Sequence, residues 1–136
     1  MTVPLDAGGQ GSGGEPSSSV RRDVGTTIEG QYAFTADNVS EYARAAQDFN
    51  PLHHDPDVAA RSRFGVLIAS AAQSTGVFTS LLATYFAPSG QALGLEFAFK
   101  LKRAVKVGVN AQMRWTIVSS VFSDKLGGDL IDVEGT

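Results

Sequence analysis

Two stretches in the second half of the chain alternate between apolar and polar residues, strictly over 93–102 and over 109–117, the pattern of a β-strand with one face against a core. The first covers residues 93–102, and the second runs from residue 109 to about residue 122. Turn residues fill 123–128, and a further strand is predicted over 129–136. A rough alternation of β-forming residues predicts one more strand over 26–34. The pattern therefore predicts four strands, three of which follow one another at the end of the chain.

Three other stretches carry the spacing or the boundary residues of helices. Thr35 is suited to be a helix N-cap, and apolar residues recur at helical spacing from there to about residue 47. Asp55 followed by Pro56 marks the start of a second, short helix that ends near residue 60. The longest stretch, 64–95, contains no charged residue, but its many hydroxyl side chains and the break at 88–90 argue against a membrane span. We predict there a helix over 67–85 that is buried on most sides.

The composition limits both the architecture and the partners. The 136 residues fit one domain, and 43% of them are apolar, which is enough for a core. Gly, Ser and Pro dominate the beginning of the chain, so we expect residues 1–24 to be a disordered tail, with no apolar run of a secretory signal, and residues 25–136 to be the domain. A net charge of −3 without a basic stripe argues against nucleic acid as a partner. The lack of cysteine excludes a disulfide framework and a thiolate nucleophile, and it is compatible with the cytoplasmic location that we expect.

Candidate chemistry is concentrated in residues 48–55, Asp-Phe-Asn-Pro-Leu-His-His-Asp, which contain both histidines of the chain. Pro51 disfavours helix at the residue before it, so a helix should end near Asp48 and the chain should then turn. Such a turn can bring the Asp48 carboxylate and the His53 imidazole to one point, a common acid–base arrangement because histidine titrates near neutrality. No metal site is expected, since two adjacent histidines cannot easily share one tetrahedral ion. The same residues also permit an interpretation without chemistry, in which His53 is a hydrogen-bonded core histidine and His54 is solvated.

The pattern D-x-N-P-L-H-x-D over 48–55 resembles the hydratase motif of MaoC-like (R)-specific enoyl-CoA hydratases and dehydratases. Weaker similarity extends from about residue 27 to the end of the chain. The resemblance implies an α+β hot-dog fold, in which a curled antiparallel sheet wraps around a long central helix. Relatives usually continue through a turn and a further strand, so this chain is either truncated or one strand short.

The resemblance also implies a reaction, the reversible hydration of a trans-2-enoyl thioester to an (R)-3-hydroxyacyl thioester. Coenzyme A or acyl carrier protein would carry the acyl group, and no other cofactor would be needed. Asp48 and His53 would together activate water and transfer its proton, and Asn50 would position the water or hydroxyl group. Asp55, beside Pro56, is expected to cap a helix rather than to catalyse.

The start of the central helix is the second part of the implied site. Relatives have a glycine there whose backbone N–H stabilises negative charge on the thioester oxygen, and this chain has Ala71 in its place. Ser70, Val77 and Phe78 are the candidate substrate-binding residues, although plain core packing would explain the last two equally well. The resemblance further implies a homodimer, and the hydroxyl residues of 64–95 separately argue against a role for a membrane.

Three alternatives remain open at this stage. The chain can be a hot-dog thioesterase, or a dehydratase for a specialised acyl group. It can be a catalytically silent hot-dog subunit that completes a partner's site or binds an acyl carrier, an alternative that Ala71 and the short C-terminus favour. A membrane-anchored helix protein is the third, and it predicts solubility that depends on detergent.

Overall fold

The computed structural model describes residues 2–6, 20–90 and 92–136. Within these ranges four strands and three α-helices follow one another, together with short 3₁₀ turns at Pro51–His53 and Ala87–Ser89. In chain order they are β1 Thr2–Asp6, β2 Thr27–Ala33, α1 Ala36–Ala45, α2 Pro56–Arg61, α3 Ala71–Phe86, β3 Asn110–Ser123 and β4 Gly128–Gly135. The predicted strands over 26–34, 109–122 and 129–136 are therefore confirmed, as are the helices that begin after Thr35 and Asp55.

The four strands form one sheet in the order β1-β4-β3-β2. β3 and β4 are joined by a tight turn in which Gly127 has a φ of +67°, a conformation that glycine adopts without strain. The two strands pair antiparallel, with Ile117 opposite Val133 and then Ser119 opposite Asp132, so one extra residue forms a bulge at 118. The pairing of β1 along the other edge of β4 was not predicted, because main-chain pairing at an open edge requires no particular side-chain pattern. Residues 1 and 7–19 of the predicted tail lie outside the described residues.

The contacts of the chain divide into two compact units. The first contains the described parts of Met1–Gly30, Ser80–Ala98 and Met113–Thr136. Its large side chains that are fully buried come from α3, β3 and β4: Leu82, Phe86, Ile117 and Ile131. These residues are the alternate apolar positions of the strands and one face of the last turns of α3, as the sequence pattern requires.

The second unit contains Gln31–Thr79 and Phe99–Gln112. Its core is a cluster of Phe34, Val39 and Ala69, against which four partly buried residues pack: Tyr32, Val105, Val107 and Ala111. Thr35 begins α1 with a capping box, because its side chain accepts the Asn38 N–H while the Asn38 side chain accepts the Thr35 N–H. All residues of the 48–55 motif belong to this unit.

The long helix begins later than predicted, at Ala71 instead of residue 67. Residues 67–70 are buried but extended, since their main chain bonds to other segments. The Ile68 N–H donates to the Leu52 carbonyl, the Ala69 N–H donates to the Val105 carbonyl, and the Leu67 carbonyl accepts the Val107 N–H. Apolar residues in a row do not distinguish a helix from an extended segment that is buried on both sides.

The strand predicted over 93–102 is wrong, because no strand of the sheet covers these residues. Its apolar residues are instead exposed: 61% of Leu93, 52% of Leu95, 44% of Phe97, 37% of Phe99 and 59% of Leu101. Alternation identifies the side chains that share a face, but a strand also needs a neighbouring strand with which its main chain can pair. Within the described part of the chain, no helix is both long enough and apolar enough to cross a membrane.

Candidate active site

The end of α1 fixes the position of Asp48. The Gln47 N–H donates to the Arg44 carbonyl at 3.0 Å and the Asp48 N–H donates to the Ala43 carbonyl at 2.8 Å. This pair of bonds is the Schellman motif, which ends a helix through one left-handed residue. That residue is Gln47, with a φ of +57°, where glycine is the usual choice. The helix therefore stops sharply, and Asp48 is the first residue of the turn.

The turn itself is built by side chains of the motif. The Asn50 N–H donates to Asp48 Oδ1 at 3.1 Å, and Asn50 Oδ1 accepts the Leu52 N–H at 3.1 Å. The second bond caps the 3₁₀ turn that begins at Pro51. Asn50 thus uses its carboxamide oxygen to hold the chain, and its Nδ2 group has no acceptor among the residues described. The predicted role of Asn50 in positioning water stays a prediction.

His53 is the buried member of the pair, with 5% of its surface exposed. Its Nδ1 lies 2.7 Å from the carbonyl oxygen of Ile68. Because a carbonyl only accepts, Nδ1 carries the proton in either charge state of the ring. This bond leaves Nε2 as the atom that can take up or release a proton.

Nε2 of His53 lies 3.4 Å from Oδ2 of Asp48. The sequence predicted this juxtaposition from the turn at Pro51, and the structure confirms it. The Asp48 side chain is 39% exposed, so one carboxylate oxygen meets a buried imidazole while the group still faces water. A separation of 3.4 Å is longer than an optimal hydrogen bond, and catalytic pairs without substrate are often loose in this way.

His54 is not the solvated residue of the interpretation without chemistry. Its Nε2 lies 2.7 Å from the main-chain carbonyl of Asp48, and its Nδ1 lies 3.0 Å from the Ser40 hydroxyl. Both ring nitrogens are therefore occupied, one by the catalytic candidate and one by a residue of α1. No sequence pattern signalled these contacts, since Ser40 and His54 are 14 residues apart.

The start of α3 lies three residues beyond Ile68 along the chain. Ser70 is its N-cap: the Ser70 hydroxyl accepts the Gln73 N–H at 3.0 Å, and the Ser70 carbonyl accepts the Ser74 N–H. The N–H groups of Ala71 and Ala72 have no acceptor in the described residues, and both alanines are exposed. The helix thus presents free N–H donors at its positive end, as the oxyanion prediction for Ala71 requires.

The remaining candidates occupy the next turns of the same helix. Ser70 is 2% exposed, and its hydroxyl already caps the helix, so this side chain has a structural task in addition to the predicted substrate contact. Val77 and Phe78 are partly buried, and the Phe78 ring lies 6.4 Å from the ring of Phe99, centroid to centroid. Asp55 caps α2 by accepting the N–H groups of Asp57 and Val58, which confirms its predicted structural role.

Comparison with known proteins gives a consistent result. The sequence model of the family described as "MaoC like domain" matches residues 15–130. An (R)-specific enoyl-CoA hydratase of Aeromonas caviae is 33% identical over 95 residues, which are 69% of this chain and 71% of that protein.

Solved structures agree with the sequence match. The structure of the A. caviae (R)-hydratase involved in PHA biosynthesis has a TM-score of 0.61 at 24% identity, over 88% of this chain and 97% of that one. A chain of the ChsH1–ChsH2 complex of Mycobacterium tuberculosis has a TM-score of 0.68 at 17% identity, over 84% of this chain and 98% of that one. These likenesses confirm the predicted α+β hot-dog fold.

Proposed function

Because this chain belongs to the MaoC-like domain family, we propose that it catalyses the reversible hydration of trans-2-enoyl thioesters to (R)-3-hydroxyacyl thioesters. The observation that carries the proposal is the pair Asp48 Oδ2 and His53 Nε2, 3.4 Å apart, with the opposite nitrogen of the imidazole held on the Ile68 carbonyl. That bond also ties the imidazole to the segment that leads directly into α3. The motif at residues 48–55 thus contains the acid–base pair. Through the Ile68 contact it also binds the segment that precedes α3, the helix with the free N–H donors.

The proposed mechanism transfers one proton from water to C2. A water molecule between the two side chains loses a proton to the Asp48 carboxylate as its oxygen attacks C3. Asp48 passes that proton to the free Nε2 of His53, and the imidazolium formed in this way gives it to C2, which restores both groups. No covalent intermediate and no further cofactor is needed. Asn50 Nδ2 is the donor that would orient the water or the product hydroxyl.

Negative charge develops on the thioester oxygen during this attack, and we assign its stabilisation to the Ala71 N–H. Proline is favoured at the first position of a helix, because the N–H that it lacks has no partner within the helix. Ala71→Pro should therefore keep the helix while it removes the donor. We expect kcat to fall about 10²–10³-fold with little change in the melting temperature. An unchanged kcat in the folded variant would exclude the Ala71 N–H from this role.

The test of the activity itself uses crotonyl-CoA and follows the loss of enoyl-thioester absorbance. Asp48→Asn keeps an oxygen for the Asn50 N–H but removes the base, and kcat should fall about 10²–10⁴-fold. Asp57→Asn, which changes an exposed carboxylate of the same region, is the matched control and should retain activity. No turnover by the folded wild type across short and long acyl groups would refute the proposal.

A basic segment supports a phosphorylated carrier for the acyl group. Four exposed basic residues lie in seven positions, and none of them forms an ion pair with a described residue: Lys100, Lys102, Arg103 and Lys106. This segment runs beside the residues that lead into α3, with Ile68 and Lys106 forming an isolated bridge. We therefore propose that it contacts the phosphates of coenzyme A or of acyl carrier protein.

The carrier proposal is tested by substrates with and without the nucleotide. Lys102→Ala combined with Arg103→Ala should raise KM for crotonyl-CoA and leave KM for crotonyl-pantetheine unchanged, and added salt should reduce the difference. Lys125→Ala, an exposed lysine of the β3–β4 turn, is the control. An equal rise in KM for both substrates would refute phosphate recognition by this segment.

We also propose that the chain associates with a second hot-dog chain, a homodimer being the simplest arrangement. The exposed apolar side chains of Leu93, Leu95 and Phe97 in the first unit support association, since exposed apolar surface is typical of sites that bind a partner. The likeness to a chain from a two-protein complex supports the heteromeric alternative, in which this chain completes a partner's site. Light scattering after size-exclusion chromatography distinguishes a dimer from a monomer of 14.3 kDa. An active dimer of the purified chain would exclude the silent-subunit alternative.

A further inference from the structure

Adjacent histidines of the motif are held in opposite tautomers. His53 must carry its proton on Nδ1, because the Ile68 carbonyl faces that atom at 2.7 Å. His54 must carry a proton on Nε2, because the Asp48 carbonyl faces that atom at 2.7 Å. Its Nδ1 can then accept a hydrogen bond from the Ser40 hydroxyl, whose oxygen lies 3.0 Å away. The neutral form of His54 thus satisfies both contacts at once.

The bond from His54 completes the fixation of the Asp48 main chain. On the amino side, the Asp48 N–H is held by the Ala43 carbonyl at 2.8 Å, directly after the left-handed residue Gln47. On the carboxyl side, His54 holds the Asp48 carbonyl. Both peptide groups that flank the Asp48 Cα are thereby fixed, so the direction of its Cα–Cβ bond is set by the backbone and not only by the contacts of the carboxylate.

We propose that His54, oriented by Ser40, is a positioning residue that aims the Asp48 carboxylate at His53. This inference rests on the proposed hydratase function. The loop after α1 has no regular secondary structure apart from its single 3₁₀ turn, and the outward-facing carboxylate is 39% exposed. Without the His54 bond, the Asp48 peptide group can rotate and exchange its partner for water. A displacement of about 1 Å in a reacting group is enough to lower the rate about 100-fold.

Three variants separate positioning from general stability. His54→Leu removes both contacts, and we expect kcat to fall about 10–100-fold with KM changed less than about threefold. His54→Gln keeps a terminal N–H₂ donor for the Asp48 carbonyl, and it should recover kcat to within about fivefold of the wild type. Ser40→Ala leaves the Nε2 donor in place but removes the group that orients the ring at Nδ1, so an intermediate loss is expected.

A double-mutant cycle shows whether His54 acts through Asp48. In the Asp48→Asn background, His54→Leu should change the residual rate less than about twofold, whereas any effect on the melting temperature should persist. Equal losses in His54→Leu and His54→Gln, or an unchanged kcat in folded His54→Leu, would overturn the inference. If Asp48→Asn itself leaves kcat unchanged, the proposed function fails first, and the two failures are thereby distinguished.

The tautomers can be measured on the unmodified protein, which keeps the inference testable if His54→Leu does not fold. Long-range ¹H–¹⁵N spectra of histidine-labelled protein should show one neutral ring protonated on Nε2, assigned to His54 by its change in Ser40→Ala. A His54 ring protonated only on Nδ1 would contradict the bond to the Asp48 carbonyl and overturn the inference.

Discussion

The Tyr42 side chain of α1 packs directly over Gly76 of α3. This contact allows the packing of the two helices to be tested. The Tyr42 hydroxyl donates to the Ala72 carbonyl at 3.2 Å. A Cβ atom built on Gly76 would lie 2.6 Å from the Tyr42 oxygen and 3.5 Å from the ring carbon that carries it. The hydroxyl is therefore the only atom that a Cβ at position 76 would meet too closely, and the effect of Gly76→Ala should depend on that one oxygen.

The magnitudes follow from three terms. Alanine gains about 1 kcal/mol over glycine inside a helix. Moving the Tyr42 ring aside costs about 1–3 kcal/mol for overpacking and about 1 kcal/mol for the lost hydrogen bond. Gly76→Ala should thus lower the free energy of unfolding by about 1–3 kcal/mol in the wild type. In the Tyr42→Phe background the nearest ring carbon stays at ordinary contact distance from the new Cβ. Gly76→Ala should therefore raise the free energy of unfolding by about 1 kcal/mol in that background.

The assay is urea unfolding of the four proteins of this cycle, with the linear extrapolation to water. The predicted sign reversal corresponds to a coupling of about 2–4 kcal/mol, well above the error of such cycles. If Gly76→Ala stabilises both backgrounds equally, the Tyr42 hydroxyl does not lie over Gly76 and the reasoning is refuted.

Other predictions concern single positions and use the same unfolding assay. Gln47→Gly should raise the free energy of unfolding by about 1 kcal/mol, because glycine removes the cost of the left-handed φ of +57°, whereas Gln47→Ala should not. Thr35→Ala should lower the free energy of unfolding by about 1 kcal/mol through loss of the capping box. Thr35→Ser, which keeps a hydroxyl at the N-cap, should lower it much less. Gly30→Ala should be more favourable by about 1 kcal/mol in the Leu81→Ala background than in the wild type, because the new Cβ would lie 2.9 Å from a methyl carbon of Leu81; equal effects in the two backgrounds would contradict this contact.

The elements that the sequence predicted well are those with local signals. Thr35 and Asp55 cap the starts of helices by hydrogen bonds to residues no more than three positions ahead. The two helix starts could therefore be predicted without tertiary information. Pro51 likewise predicted the turn that brings Asp48 to His53. The β3–β4 hairpin joins neighbours in the chain and follows from alternation and turn residues alone.

The failures concern partners that are distant in the chain. Residues 67–70 are extended because Leu52, Val105 and Val107 supply hydrogen bonds, and no local pattern shows such partners. The same limit explains the strand wrongly predicted over 93–102. In the site, it hid the contacts of Ser40 and His54, since an imidazole with two occupied nitrogens has the same sequence signature as a solvated one.

The occupation of the outer edge of β4 by β1 has a consequence for assembly. Residues 2–6 pair along 128–132, and the intervening chain tethers them to that edge at an effective concentration of millimolar order. A strand from another molecule must therefore compete with an internal one, which protects this edge at ordinary protein concentrations. Exchange of β1 between two copies loses none of these main-chain bonds, so strand swapping is the form of association that this edge permits at high concentration.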